Sequence, residues 1–97
     1  MSKVARAKIA EMASIYKLLS DETRLYVIDM LFRSRTPLSV GEIAESIQMS
    51  HSATSHLLGS LFRNGVVENL RDGREKLYTI GKTIQAKRVM KILKNSN

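Results

Sequence analysis

The sequence lacks cysteine and tryptophan, and it has one proline among its 97 residues. The absence of cysteine excludes disulfide bonds, thiolate metal sites and thiol-based redox sensing. Long apolar runs are also absent: no run approaches the ~18 residues of a membrane span, and the charged amino terminus does not resemble a signal peptide. We therefore expect a soluble, cytoplasmic protein that does not bind membranes.

Negative charge is scarce, because nine acidic residues stand against 16 lysines and arginines and give a formal net charge of +7. An excess of this size on a small domain favours a polyanionic partner, most simply nucleic acid. The alternative is a chain that is basic without such a partner. With 43% hydrophobic residues and no internal repeat, residues 1–97 are predicted to form one globular domain.

Two amphipathic helix patterns open the chain. The first covers residues 3–19, where apolar residues recur at helical spacing: Ile9, Met12, Ala13 and Tyr16. So much apolar surface predicts burial on two sides, one against the domain and one against a second subunit. A core helix with a few exposed apolar residues is the alternative. The second pattern, residues 22–34, is expected to be the most buried helix and to end before Pro37.

A helix-turn-helix is predicted over residues of about 39–64. Ser39 and Glu42 fit a capping box, S-x-x-E, which opens a short helix at about 40–47. After a tight connection, Ser50 is placed to cap the next helix, which ends at an Asn-Gly pair. Two short helices joined in this way are typical of DNA-binding proteins.

The outer face of the second of these helices is small, neutral and rich in hydrogen-bonding groups, where a solvated face usually carries Glu and Lys. Its candidates for DNA contact are Ser50, His51, Ser52, Thr54, Ser55 and His56. Hydroxyl and imidazole groups can bind base edges or phosphates in a major groove. Three alternatives stay open: Ser50 acts only as a cap, the Thr54 methyl packs on the domain, and each histidine is merely solvated.

A β-hairpin is predicted after this helix, because Asp72-Gly73 lies between two strand-like runs, 66–71 and 74–80. The residues expected to face the core are Leu70, Tyr78 and Ile80. Three cations gather near the tip: Arg71, Arg74 and Lys76. A basic hairpin after a helix-turn-helix is a wing, here about 66–80, which would contact the DNA backbone or minor groove. The alternative is a charged tip that only aids solubility.

Residues 82–94 predict a last helix that contains no acid. Its apolar stripe consists of Ala86, Val89, Met90 and Leu93. Its cations are expected at the outside of a dimer edge in preference to DNA. The predicted order is α-α-α-α-β-β-α, a mainly α protein with a small β-hairpin, which is the winged helix-turn-helix fold.

Four stretches match motifs of one known family. Residues 19–25, LSDETRL, are similar to L-x-D-P-T-R-L, and residues 50–58, SHSATSHLL, are similar to S-Q-S-A-V-S-R-H-L. Residues 64–67 and 71–78 match A-G-L-V and R-x-G-R-x-x-x-Y. The chain thus resembles the ArsR/SmtB family of winged-helix repressors over residues of about 16–80.

The resemblance implies a homodimer whose interface is formed by the first and last helices, 3–19 and 82–94, through the two apolar stripes named above. It also implies a palindromic operator and repression by blocking transcription. Family members that sense metals use two cysteines at positions occupied here by Ser39 and Gly41, or Asp, His and Glu ligands on the last helix. Residues 82–97 contain none of these ligands. We therefore expect no metal and no cofactor, and the effector is unknown.

The predicted function is a sequence-specific regulator that binds double-stranded DNA, most simply a homodimeric repressor. Two alternatives are a winged-helix module for protein interaction and an architectural protein that coats DNA without an operator. No nucleophile–base arrangement, carboxylate pair or glycine-rich phosphate loop is present, so an enzyme is not expected. Arg24 is expected to be structural, through an ion pair with Glu22 or Asp21.

Overall fold

A computed structural model describes residues 1–95 of the chain. Its elements, in order, are α1 (Lys3–Leu19), α2 (Glu22–Arg33), β1 (Leu38–Ser39), α3 (Val40–Ile47), α4 (His51–Arg63), β2 (Val67–Asp72), β3 (Glu75–Ile80) and α5 (Ile84–Asn95). The last two residues of the predicted domain, 96 and 97, lie outside the described residues. The predicted order of four helices, a hairpin and a final helix is confirmed.

Side-chain caps decide where several helices begin. The capping box predicted from Ser39 and Glu42 is present: Ser39 Oγ accepts from the Glu42 N–H at 3.1 Å, and Glu42 Oε1 accepts from the Ser39 N–H at 3.0 Å. At α5 the cap is Thr83, whose Oγ1 accepts from the Ala86 N–H at 3.0 Å. This cap explains why α5 begins at Ile84, two residues later than predicted.

The sheet has three antiparallel strands in the order β1-β3-β2, one strand more than the predicted hairpin. In the added strand, Leu38 pairs with Tyr78 and Ser39 pairs with Leu77. A strand of two residues is too short to show the two-residue period on which a sequence prediction depends.

The two faces of the hairpin correct one predicted core residue. Tyr78 is 3% exposed and lies opposite Asn69, whereas Leu70 lies opposite Leu77 and is 45% exposed. Because directly opposed residues project to the same side of a sheet, Leu70 and Tyr78 lie on opposite faces. Tyr78 therefore packs in the core and Leu70 faces outward, while Ile80 is partly buried against the core.

One hydrophobic cluster joins all five helices to the sheet. Its fully buried members include Val27, Ile28, Ile43, Leu58, Leu61, Val66 and Val89. Helix α1 contributes only its last turns, through Ile15, Leu18 and Leu19, and its earlier turns project from the body. The molecule is accordingly elongated, at 48 × 27 × 24 Å. No helix within residues 1–95 is both long and apolar enough to span a bilayer.

The stripe predicted on α5 divides into two sets. Ala86 and Val89 are 0% exposed and belong to the core, so their assignment to a dimer interface is wrong. Met90 and Leu93 are partly buried and pack against the same core. Helical spacing shows that a stripe is apolar, but it does not show whether the stripe covers its own domain or a partner.

Candidate nucleic-acid interface

The connection between α3 and α4 is a tight turn that sets the direction of α4. Gln48 adopts the left-handed conformation, with φ of 55°, and the Met49 N–H donates to the Ala44 carbonyl at 3.1 Å. Ser50 then caps α4, because its Oγ accepts from the Ala53 N–H at 3.0 Å. The cap leaves the first turn of α4 at the molecular surface, where its remaining N–H groups suit a phosphate or a base edge.

Five of the six side chains predicted on α4 lie at the surface: Ser50, His51, Ser52, Ser55 and His56. They occupy the first two turns of the helix, and α4 contains no acidic residue that would repel a phosphate. This half of α4 offers hydroxyl and imidazole groups without a permanent charge. Such groups can read base edges in a major groove, which is about 12 Å wide and admits a helix.

Thr54 does not belong to this surface, and its predicted DNA contact is wrong. Its side chain is 0% exposed, and its Oγ1 donates to the Ser50 carbonyl at 2.8 Å. The bond satisfies the buried hydroxyl and ties Thr54 to the first turn of α4. The alternative offered by the sequence, that Thr54 packs on its own domain, is confirmed.

A cation on α4 was not predicted. Arg63, in the last turn, folds back along the helix so that its Nη1 would lie 3.3 Å from a Cβ placed at Gly59. Gly59 makes room for this side chain, although a glycine within a helix costs about 1 kcal/mol of stability relative to alanine. The only sequence signal for an arginine that folds over a glycine is their spacing of four residues, because residues at i and i+4 share a helix face.

A groove of about 690 Å³ separates α4 from the start of α2. It is lined on the α4 side by Ser52 and His56, and on the α2 side by Thr23 and Arg24. Arg24 is structural, as predicted, but the predicted ion pair with Glu22 or Asp21 is wrong. The guanidinium donates instead to backbone carbonyls, with Nε 2.8 Å from Leu18 O. The hydrogen bond satisfies a carbonyl at the end of α1, one of the last four that a helix leaves unpaired.

The wing separates its charges by face. Arg71 lies opposite Lys76, and Asp72 lies opposite Glu75, so the cations share one face and the acids share the other. The cationic face continues, two residues along the strand, into the buried Tyr78, and is therefore the face turned toward the helices. Arg74 lies at the tip, after Gly73 with its φ of 64°, and all three predicted wing cations are exposed.

Apolar side chains are exposed along the projecting part of α1. Ile9, Met12 and Tyr16 are 53%, 53% and 56% exposed, and Ala13 lies beside them on the same stripe. A contiguous exposed apolar stripe on a small protein marks an interaction surface more often than a free one. The stripe borders α5, where Arg88 Nη1 lies 2.9 Å from Glu11 Oε2 and links the two helices.

Two chemical properties complete the description of the site. The region covered by the structure, residues 1–95, holds no group of three or more His, Cys, Asp or Glu side chains placed to bind a metal ion. Burial raises the pKa of the Tyr78 hydroxyl above its ordinary value of about 10, because an apolar environment disfavours the phenolate.

Comparison with known proteins gives a consistent result. Residues 21–69, from the start of α2 into β2, match the family model described as "Bacterial regulatory protein, arsR family". The cadmium resistance transcriptional regulatory protein CadC of Listeria innocua is 38% identical over 79 residues, which are 81% of this chain and 66% of that protein. The chain thus spans about two thirds of the length of such relatives.

A second relative is the arsenical resistance operon repressor of Staphylococcus aureus. It is 34% identical over 74 residues, which are 76% of this chain and 69% of that protein. Among solved structures, the homodimeric winged helix-turn-helix DNA-binding domain Mb0332 of Mycobacterium bovis superposes with a TM-score of 0.78. That comparison has 25% sequence identity and covers 99% of this chain and 87% of the other. All these matched proteins are regulators, and none is an enzyme.

Proposed function

Because this chain belongs to the ArsR family of bacterial DNA-binding regulators, we propose that it is a homodimeric repressor that binds a palindromic operator in double-stranded DNA. The observation that carries the proposal is the exposed first half of α4, with its hydroxyl and imidazole groups, together with a wing that exposes three cations. The repressor named among the relatives supports the direction of regulation.

In this proposal the two elements have different tasks. Ser50, His51, Ser52, Ser55 and His56 read base edges, because neutral donors and acceptors discriminate between bases. Arg71, Arg74 and Lys76 hold the backbone or the adjacent minor groove, because phosphates attract cations without regard to sequence. Selectivity then resides in α4, and much of the attraction resides in the wing.

The dimer is proposed from the α1 stripe of Ile9, Met12, Ala13 and Tyr16, which borders Arg88 and Lys91 of α5. The partly buried Met90 and Leu93 of α5 are proposed to add to the interface. The homodimeric state of the Mycobacterium bovis domain supports it. A two-fold axis repeats α4 on each side of the operator, so half-sites would be centred about one helical turn of DNA, or a multiple of it, apart.

We further propose that release from DNA does not depend on either metal site known in the family, although one relative is named for cadmium resistance. Ser39 and Gly41 stand at the thiolate positions, and Ser39 Oγ is already occupied as the cap of α3. The last helix offers only Lys and Arg as charged side chains. Addition of Cd²⁺, Zn²⁺ or Ni²⁺ to the protein–operator complex should leave the affinity for the operator unchanged.

Selection of bound sequences from a random duplex pool tests the proposal. We expect two inverted half-sites, and binding that weakens steeply as salt rises, because counterions are released from the phosphates. Enrichment of no sequence, with tight binding to every duplex, would indicate an architectural protein. Binding to no duplex would favour a protein-interaction module. In a transcription assay, the selected operator placed at a promoter should lower transcript yield when the protein is added.

A further inference from the structure

The second half of α4 differs in charge from the first half. The chain places one arginine, Arg63, in the last turn of α4, and the helix carries no lysine and no acid. The Arg63 side chain is exposed and makes no hydrogen bond or ion pair to any of the residues that the structure describes, 1–95. Its charge is therefore not neutralised by the protein and is available to an anion.

Gly59 determines where that charge lies. Because position 59 has no side chain, the Arg63 guanidinium lies back over it, and a Cβ there would be only 3.3 Å from Nη1. The charged group thus sits about one turn before its own Cα, in line with the direction in which helical side chains lean. Gly59 follows Ser55 by four residues, so the guanidinium continues the surface that begins at the first turn of α4.

The length of the helix indicates which part of the DNA this group meets. Gly59 lies eight residues after His51, or about 12 Å along the axis at 1.5 Å per residue. That distance exceeds half of the ~12 Å width of a major groove, so a helix that presents its first turn to the bases at the middle of the groove carries Gly59 out to the flanking backbone. The groups there are phosphates.

We propose that Arg63 is a DNA-binding residue that contacts a phosphate at the rim of the major groove, in the space left by Gly59. The inference rests on the proposed function, because it assumes that α4 enters the groove. It adds to each half-site one permanent positive charge, which the first half of α4 lacks. The contact is independent of sequence and differs in this respect from those of Ser55 and His56.

The test measures the affinity of the full-length chain and its variants for the selected operator and for an unrelated duplex of equal length, across a salt series. Arg63→Gln should weaken binding to both duplexes by about eightfold per half-site at 0.1 M salt. This factor follows from the loss of one phosphate contact, which contributes about −0.9 to the slope of log affinity against log salt and so about eightfold in affinity between 1 M and 0.1 M. The slope of log affinity against log salt should fall by about 0.9 per half-site.

Two further variants separate this role from general effects. Arg63→Lys should keep most of the affinity, because a phosphate accepts an ammonium group as well. Arg33→Gln is the matched control, since Arg33 is paired with Asp29 on α2 at 3.0 Å and should change neither affinity nor slope appreciably. All three variants should melt close to the parent, because both arginines are exposed.

Equal behaviour of Arg63→Gln and Arg33→Gln would overturn the inference while leaving the proposed function intact. A loss confined to the operator, with the unrelated duplex bound as before, would also overturn it, because Arg63 would then read a base. Failure of the parent chain itself to bind any duplex would instead be a failure of the proposed function.

Discussion

Thr54 and Ser55 are neighbours with similar hydroxyl groups, yet they have opposite environments. Thr54 is 0% exposed, and Ser55 lies at the surface. Successive helical residues are rotated by about 100°, so one residue separates the core face from the exposed face. Both hydroxyls suit DNA equally well as chemical groups. The sequence therefore predicted the helix and its polar composition, but the boundary between its faces required the packed structure.

Substitution of these two residues should separate stability from recognition. Thr54→Val removes a hydrogen bond within α4 and should lower the free energy of unfolding by about 1 kcal/mol, with unchanged sequence preference. Ser55→Ala should leave the melting temperature nearly unchanged and relax the preference at one base pair. Thermal melting and binding to single-base operator variants would measure both effects. A loss of sequence preference in Thr54→Val without a loss of stability would contradict the burial of this side chain.

The buried hydroxyl of Tyr78 should make the folded protein less stable at alkaline pH. Its pKa is raised in the folded state by burial, so above pH 10 the unfolded chain releases its proton before the folded chain does. The contribution of Tyr78 is thus fully present below pH 10 and falls as pH rises through its folded-state pKa. Urea unfolding of the parent and of Tyr78→Phe between pH 8 and 11 measures the effect, since the variant lacks this component. Identical pH dependence of the two proteins would count against it.

At the scale of elements, local signals were sufficient wherever neighbouring residues decide the structure. The capping box of Ser39 and Glu42 and the turn at Asp72-Gly73 were both predicted from residues within four positions of each other. Signals that depend on distant partners were not sufficient. β1 exists because it pairs with β3 some 40 residues away, and Val89 is buried because other helices cover it.

The junction of α4, β2 and α5 depends on one hydroxyl group. Thr83 Oγ1 donates to the Gly65 carbonyl and accepts from the Ala86 N–H, while the Gly81 N–H donates to the Val66 carbonyl. Gly81 also leaves no space for a side chain, because a Cβ would lie 2.9 Å from Gly65 O. The end of α4 and the start of α5 are therefore held at a fixed separation.

Loss of that hydroxyl should weaken the junction. Thr83→Val removes both bonds and should lower the free energy of unfolding by about 1–2 kcal/mol, a typical cost of losing an N-cap. Thr83→Ser keeps both bonds and serves as the control, with a smaller loss from its missing methyl group. Urea unfolding gives the free energies, and hydrogen exchange at the Ala86 N–H should accelerate only in Thr83→Val. Equal exchange in the two variants would indicate that the cap is dispensable.

For the whole molecule, apolar surface and positive charge are arranged along the same two helices. Helix α5 carries Lys87, Arg88, Lys91 and Lys94 without an acid, and α1 carries four more cations outside its apolar stripe. Two copies joined through these helices would bring like charges near one another, so a dimer depends on apolar burial and gains from salt screening. DNA binding, in contrast, weakens as salt rises. We therefore expect dimerisation and DNA binding to respond to salt in opposite directions.

A charge placed in the α1 stripe should separate dimerisation from folding. Met12 is 53% exposed in the single chain, so Met12→Glu should leave the subunit folded, with an unchanged circular dichroism spectrum, while its melting temperature falls because the stabilisation by dimerisation is lost. Two glutamates in a shared apolar interface would be desolvated, and sedimentation should show a shift to monomer. Operator affinity should fall by about 10²–10⁴, because the two half-sites are then bound independently.

The control for this variant is Ser14→Glu, which adds the same charge to the same helix. Ser14 is exposed and lies two residues, or about 200°, around α1 from Met12, so its side chain points away from the stripe. We expect Ser14→Glu to remain dimeric and to bind the operator nearly as the parent does. If both variants stayed dimeric, the stripe on α1 would not be the interface, and the long projecting helix would need another partner to cover it.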